Sequence, residues 1–174
     1  MNPRVAIIGG TGVGSRLAKL SGRAVHIPTP FGICRTKVVQ LNGVWVALVQ
    51  RHSVGHRTPP HRVNFRAMAS GLQALGVRFV LASAATGSLR NDWEPGTLAL
   101  CDQFLDVSGR RLTCFDDTVQ HTDFTAPMSP AVRKSLKEAL DGIEERFEPT
   151  ATYVNADGPR YETAAEILMY RQWG

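Results

Sequence analysis

The chain has 174 residues, 43% of them hydrophobic and 20% charged, with a formal net charge of +5; this is the size of one domain able to bury about 70% of its unfolded surface. Nothing in that composition fits a disordered, collagen-like or fibrous protein. Basic residues are scattered, with concentrations at Arg51 to Arg66 and at Arg110-Arg111, which suits an anionic small ligand at least as well as nucleic acid. A strand-binding groove would need a Lys/Arg run or an interleaved aromatic ladder, and the sequence has neither.

Val5 to Ile8 is a β-branched run closed by Gly9-Gly10 and reads as a buried strand entering a tight turn. Val38 to Leu41 and Val44 to Gln50 flank Asn42-Gly43, a strong hairpin signal, and the second strand delivers Arg51 and His52 at its end. After Pro59-Pro60, Val63, Ala67, Leu72 and Leu75 fall on one helical stripe that ends at Gly76. Phe79 to Ala85 is apolar throughout, as a central strand buried on both faces would be. Strand, helix and strand in that order give an α/β unit.

Glu94-Pro95-Gly96 reads as a turn and Leu98 to Leu105 as a further strand. Ser129-Pro130 supplies an N-cap and first residue for a helix expected to reach about Phe147. Ala151 to Val154 is the last strand candidate, and Thr163 with Glu166 forms a capping box that starts a final helix. From Ala164 to Trp173 that helix is apolar nearly all round, so it expects neighbours on more than one face.

Three cysteines, Cys34, Cys101 and Cys114, have no CxxC spacing, which argues against a disulfide framework or zinc ribbon and suits a reducing cytoplasm. No stretch of about 18 apolar residues occurs, and the N-terminal apolar run is too short for a signal peptide. A soluble, cytoplasmic protein is the expectation.

Four segments carry candidate chemistry. In "IIGGTGVGS" a glycine turn follows a strand, and such turns aim backbone N–H groups at anions. The glycine spacing is wrong for a dinucleotide fingerprint and no acidic residue follows about 20 positions on, so a nucleotide-dependent dehydrogenase is a minor alternative. "QRHSVGHRTPPHRVNFR" gathers Arg51, His52, His56, Arg57, His61, Arg62 and Arg66. Its histidine spacing matches no zinc pattern. An Arg-His pair at a strand end suits an oxyanion, each charge-assisted hydrogen bond being worth about 1.5–3 kcal/mol net, although a merely solvated basic loop has the same composition. In "SAATGSLR" small residues at a strand end leave room for a ligand near the backbone, or for helix packing. Asp102 and Asp106, flanking Phe104, read as ordinary strand-end acids.

Taken in order, "GGTG" at Gly9 to Gly12, "RHSVGH", "PHRVNFRA", "GSLR", "PGTLALCDQFLD" and "GPRYETAAE" resemble the methylthioadenosine phosphorylase and purine nucleoside phosphorylase family over nearly the whole chain. The resemblance implies a three-layer α/β/α domain, residues 1–174, around a central mixed sheet. It implies phosphorolysis, in which phosphate attacks C1′ of a purine nucleoside and free purine leaves, with no metal or organic cofactor and inorganic phosphate as co-substrate. A homotrimer is the family's usual assembly, with neither nucleic acid nor membrane as partner.

By that resemblance Thr11, Arg51, His52 and the backbone at Ala85 bind phosphate. Tyr161 packs on the base, His121 reaches a neighbouring subunit's 5′ pocket, and Glu162 accepts a hydrogen bond from the N1–H of a 6-oxopurine. Glu162 therefore favours inosine, guanosine or methylthioinosine, whereas "AEILMYRQWG" is more similar to methylthioadenosine phosphorylases, and the base stays open between them.

Three departures accompany the resemblance. Ser53 replaces a glycine common after Arg-His, and Ala84 stands where methylthioadenosine enzymes often place a phosphate-binding threonine. The family's Met-Thr segment and the residue that hydrogen-bonds purine N7 have no counterpart before Gly174, so no catalytic residue is assigned. A chain of this length is expected to turn over poorly, either as the front part of a phosphorylase or, alternatively, as a non-catalytic nucleoside- or phosphate-binding protein.

Overall fold

The computed structural model describes all residues except 1, 11, 54, 56, 144 and 145. The chain divides into two compact units, residues 1–86 with 112–116 and residues 87–111 with 117–174.

The first unit is built on a five-stranded mixed sheet in the order β2-β3-β4-β1-β5. Its strands are β1 (Val5–Gly9), β2 (Arg23–Thr29), β3 (Gly32–Leu41), β4 (Val44–Gln50) and β5 (Phe79–Ala82). β1 runs parallel to both β4 and β5, while β2, β3 and β4 form an antiparallel meander. The β3–β4 hairpin turns on Asn42 and Gly43 at φ 47° and 84°, the left-handed pair that matches the twist of the flanking strands.

Alternation along the strands divides the core between two helices, α1 (Val13–Ala18) and α2 (Phe65–Ala74). Ala6, Ala47 and Val49 pack with Leu72, Met68, Leu75 and Val77 on the α2 face, whereas Val39, Val46 and Leu48 meet Leu17 and Leu20 beside α1. This is a helix–sheet–helix sandwich in miniature. α2 starts where Asn64 accepts from the Ala67 N–H at 3.0 Å, a cap the apolar stripe alone does not reveal.

β5 differs from the expectation of a central strand buried on both faces. It is the last strand of the sheet, and Phe79 and Val80 are 49% and 46% exposed. An apolar run is compatible with either place; only pairing on the second edge would make it central, and β1 is its one partner among the described residues.

In the second unit, β6 (Leu98–Ala99) pairs in parallel with β8 (Phe147–Glu148), and β7 (Gln103–Asp106) with β9 (Thr152–Asn155). The single strand expected over Leu98 to Leu105 is thus two. Between them the Arg133 side chain, from α3 (Pro130–Asp141), donates to the carbonyls of Leu100 at 3.4 Å, Cys101 at 3.1 Å and Pro149 at 2.6 Å. α3 ends at Asp141 rather than near Phe147, because Gly142 caps it and Phe147 is already in β8. Its start is as read, Ser129 accepting from Val132 with Pro130 in the first turn.

α4 (Ala164–Trp173) begins with the expected capping box: Thr163 Oγ1 accepts from Glu166 N–H at 3.2 Å and Glu166 accepts from Thr163 N–H at 2.6 Å. Tyr170 is buried, while Leu168 and Trp173 are 61% and 52% exposed. No described helix is long and apolar enough to cross a membrane.

Candidate active site

Parallel pairing brings the carboxyl ends of β4, β1 and β5 to one edge of the sheet, with helices on both faces, the place where open α/β sheets bind ligands. Backbone bonds lace the three ends together: Arg51 N–H donates to Gly9 O at 3.1 Å, and Ser83 N–H to Ile8 O at 3.0 Å. Gly9-Gly10, Arg51-His52 and the Ser83–Ala85 segment therefore share that edge. Thr11, the first of the expected phosphate ligands, and His56 lie outside the described residues.

Arg51 is half-buried, and its Nη1 donates to the Ser83 carbonyl at 3.0 Å. Its other terminal nitrogen lies against the Gly10 α-carbon, where any Cβ would collide with it. Among the described residues no carboxylate pairs with this guanidinium. A fixed, partly desolvated cation without an acidic counter-charge has the chemistry to take an anion as its partner.

His52 follows, its Nδ1 3.0 Å from Thr58 O. A carbonyl only accepts, so Nδ1 carries the proton. The loop is closed by Thr58 N–H donating to His52 O at 2.9 Å and by the Ser53 and Thr58 hydroxyls at 2.6 Å. Ser53 has φ 63°, a left-handed backbone that glycine adopts freely and serine only at a cost.

The rest of the basic segment is engaged differently. Arg66, in the first turn of α2, pairs with Asp116 and lies 3.9 Å over the Phe31 ring, while His61 and Arg62 are exposed in the short 3₁₀ turn Pro60–Arg62. Ala85 is exposed in the segment after β5. The carbonyl of Ser83, the anchor for Arg51, is the site feature that sequence reasoning missed, since a backbone acceptor leaves no trace in residue type.

Tyr161, Glu162 and His121 belong to the second unit. Tyr161 is 94% exposed, Glu162 is half-buried, and both precede α4. Arg160 fixes their backbone: its guanidinium forks onto Glu166 at 2.8 and 2.7 Å and also donates to Tyr161 O at 3.0 Å. That fork, with the Thr163 N–H, holds the Glu166 carboxyl down at about 2. His121 is exposed in an irregular stretch, apart from these elements in sequence.

Residues 4–174 match the model of the Phosphorylase superfamily. A probable 6-oxopurine nucleoside phosphorylase of Thermococcus kodakarensis is 38% identical, the alignment covering 99% of this chain and 68% of that protein. An S-methyl-5'-thioadenosine phosphorylase of Hyperthermus butylicus is 36% identical over 97% of this chain and 63% of its own length. Among solved structures, methylthioadenosine phosphorylase from Schistosoma mansoni in complex with adenine superposes with a TM-score of 0.88 at 28% identity, covering 99% of this chain and 71% of that one. The chain thus spans about two thirds of the length of the relatives it matches. These matches are to phosphorylases over nearly the whole chain, and the chain belongs to the phosphorylase superfamily, among its methylthioadenosine and purine nucleoside phosphorylases.

Proposed function

We propose that the protein serves phosphorolysis of a purine nucleoside, with phosphate held at the β1/β4/β5 edge. The observation that carries this reading is Arg51, fixed by Ser83 O and laid on Gly10 with no carboxylate pairing it among the described residues. Phosphate is a weak nucleophile, so its dianion must be held below C1′ of the ribose. As an oxygen of phosphate bonds to C1′, the C1′–N9 bond breaks and its electron pair leaves with the purine, which takes up a proton. Arg51, His52 and the Ala85 backbone hold the phosphate; Thr11 contributes its hydroxyl. Phosphate is the only co-substrate in this proposal, without metal or organic cofactor.

The base is a 6-oxopurine. Glu162 as a carboxylate accepts from the N1–H of hypoxanthine or guanine, whereas N1 of adenine is itself an acceptor and repels it. Tyr161 stacks on the base, and His121 serves the 5′ pocket of a neighbouring subunit in a homotrimer. The reaction would feed purine salvage, and methionine salvage where the 5′ substituent is methylthio. Cys34, Cys101 and Cys114 are all free, which supports a reducing cytoplasm.

The test is titration of inosine, methylthioinosine and methylthioadenosine in the presence of phosphate, with free purine followed chromatographically. The expected result is preferential binding of the 6-oxopurine nucleosides, reversed towards adenine by Glu162→Ser, with phosphate binding lost in Arg51→Met; purine release by a chain of this length is expected to be weak, to require phosphate and to stop in Arg51→Met. Phosphate-independent release, or no nucleoside binding at all, would overturn the reading.

A further inference from the structure

Gln50 is the last residue of β4 and lies in register with Gly9, the last of β1. Its side chain does not stay in the sheet: Nε2 donates to the carbonyl of Gly14, 36 residues earlier, at 3.0 Å. Gly14 is buried in the first turn of α1, and its N–H donates to Gly10 O at 2.9 Å. Gly9 and Gly14, on either side of the glycine turn, are therefore each tied to the end of β4 by consecutive residues, Gly14 by the Gln50 amide and Gly9 by the Arg51 backbone N–H.

A carbonyl inside a helix has the helical ladder to satisfy it, so the Gln50 amide is not required to avoid an orphaned acceptor. Its effect is positional. α1 has only six residues and its far end is held separately, by Lys37 Nζ donating to Ala18 O at 2.8 Å and Leu20 O at 3.0 Å. At the near end Gln50 and the Arg51 N–H hold the turn to β4. Movement of the turn changes the distance between Gly10 and the Arg51 guanidinium, which lie against each other at the phosphate site.

We propose that Gln50 is a positioning residue for phosphate, holding the glycine turn at a fixed distance from Arg51. The inference rests on the phosphate reading of this edge and adds a residue to which that reading gave no role. Gln50→Glu is nearly isosteric but presents an oxygen to the Gly14 carbonyl. Gln50→Met keeps the length without any donor.

The experiment measures the dissociation constants of inorganic phosphate and of inosine separately by isothermal titration calorimetry, with the melting temperature recorded for each variant. Both substitutions are expected to weaken phosphate binding by about tenfold, the scale of one lost polar contact, with inosine affinity unchanged. Gln50→Met guards against misfolding caused by the new charge in Gln50→Glu. Unchanged phosphate affinity in Gln50→Met, or equal losses for phosphate and inosine, would overturn the inference while leaving the phosphate reading intact. Wild-type protein that binds no phosphate would overturn both.

Discussion

The guanidinium of Arg51 rests directly on the α-carbon of Gly10, and a Cβ at position 10 would collide with it while standing 2.9 Å from the carbonyl of Ser83. Glycine is required here for access rather than for an unusual dihedral, since position 10 is not among those with positive φ. Gly10→Ala forces Arg51 off Ser83 or displaces the turn. It should lower phosphate affinity by about tenfold or more, each charged hydrogen bond being worth about 1.5–3 kcal/mol. Calorimetric titration of phosphate checks this, and unaltered affinity would mean that Arg51 is not held against Gly10.

Ser53, at φ 63°, pairs its hydroxyl with Thr58. A β-branched residue tolerates this backbone poorly and brings no hydroxyl partner, so Ser53→Val should cost about 1–3 kcal/mol of stability. Ser53→Gly relieves the backbone but loses the hydrogen bond, and the two effects offset to within about 1 kcal/mol. Urea denaturation of both variants separates these outcomes; a stable Ser53→Val variant would contradict the backbone argument.

Arg133 donates to three carbonyls contributed by the segment between β6 and β7 and by Pro149 after β8. Arg133→Met keeps the aliphatic stem but leaves these carbonyls to find other donors, at a cost of about 1–3 kcal/mol. Hydrogen exchange should accelerate at the Leu100 and Asp102 amides, which bond to Glu148 O and Ala151 O, more than at the amides of β3. Uniform exchange across the chain would show that Arg133 is no local staple.

Glu166 accepts from Arg160 and from the Thr163 N–H, and these bonds lower its carboxyl from an ordinary 4.5 to about 2. Because the folded value is the lower one, the contribution to α4 is complete above about pH 4.5 and is lost as pH falls towards 2. A carboxyl titration of Glu166 by NMR should show its midpoint near 2, and Glu166→Gln, which lacks the charge at every pH, should abolish the pH dependence of α4 fraying. A midpoint near 4.5 would indicate that the Arg160 fork does not form in solution.

Much of this was legible in the residues, for reasons that differ by element. The β3–β4 hairpin and the α4 capping box are local, each set by a few adjacent residues whose dihedrals or hydrogen bonds admit few alternatives. β2 went unread because Pro28 and the mixed "RAVHIPT" composition hide the alternation; the strand lies at the sheet edge, where proline is tolerated. At the split between β6 and β7 the carbonyls are taken by Arg133, about 30 residues away in sequence, and no local pattern reports that contact. Similarly, Arg51 and His52 were identifiable as anion-binding types at a strand end. That Arg51 leans on Gly10 and Ser83, whereas Arg66 in the same basic segment pairs with Asp116, follows only from the folded arrangement.

That contrast supplies the most direct test of the phosphate assignment. Isothermal titration of inorganic phosphate into wild type, Arg51→Met and Arg66→Met compares two arginines of one basic segment, one unpaired with any carboxylate among the described residues and one bound to Asp116. Saturable binding in wild type that survives Arg66→Met and disappears in Arg51→Met is the expected result. Equal affinity in wild type and Arg51→Met would contradict a phosphate site at the β1/β4/β5 edge.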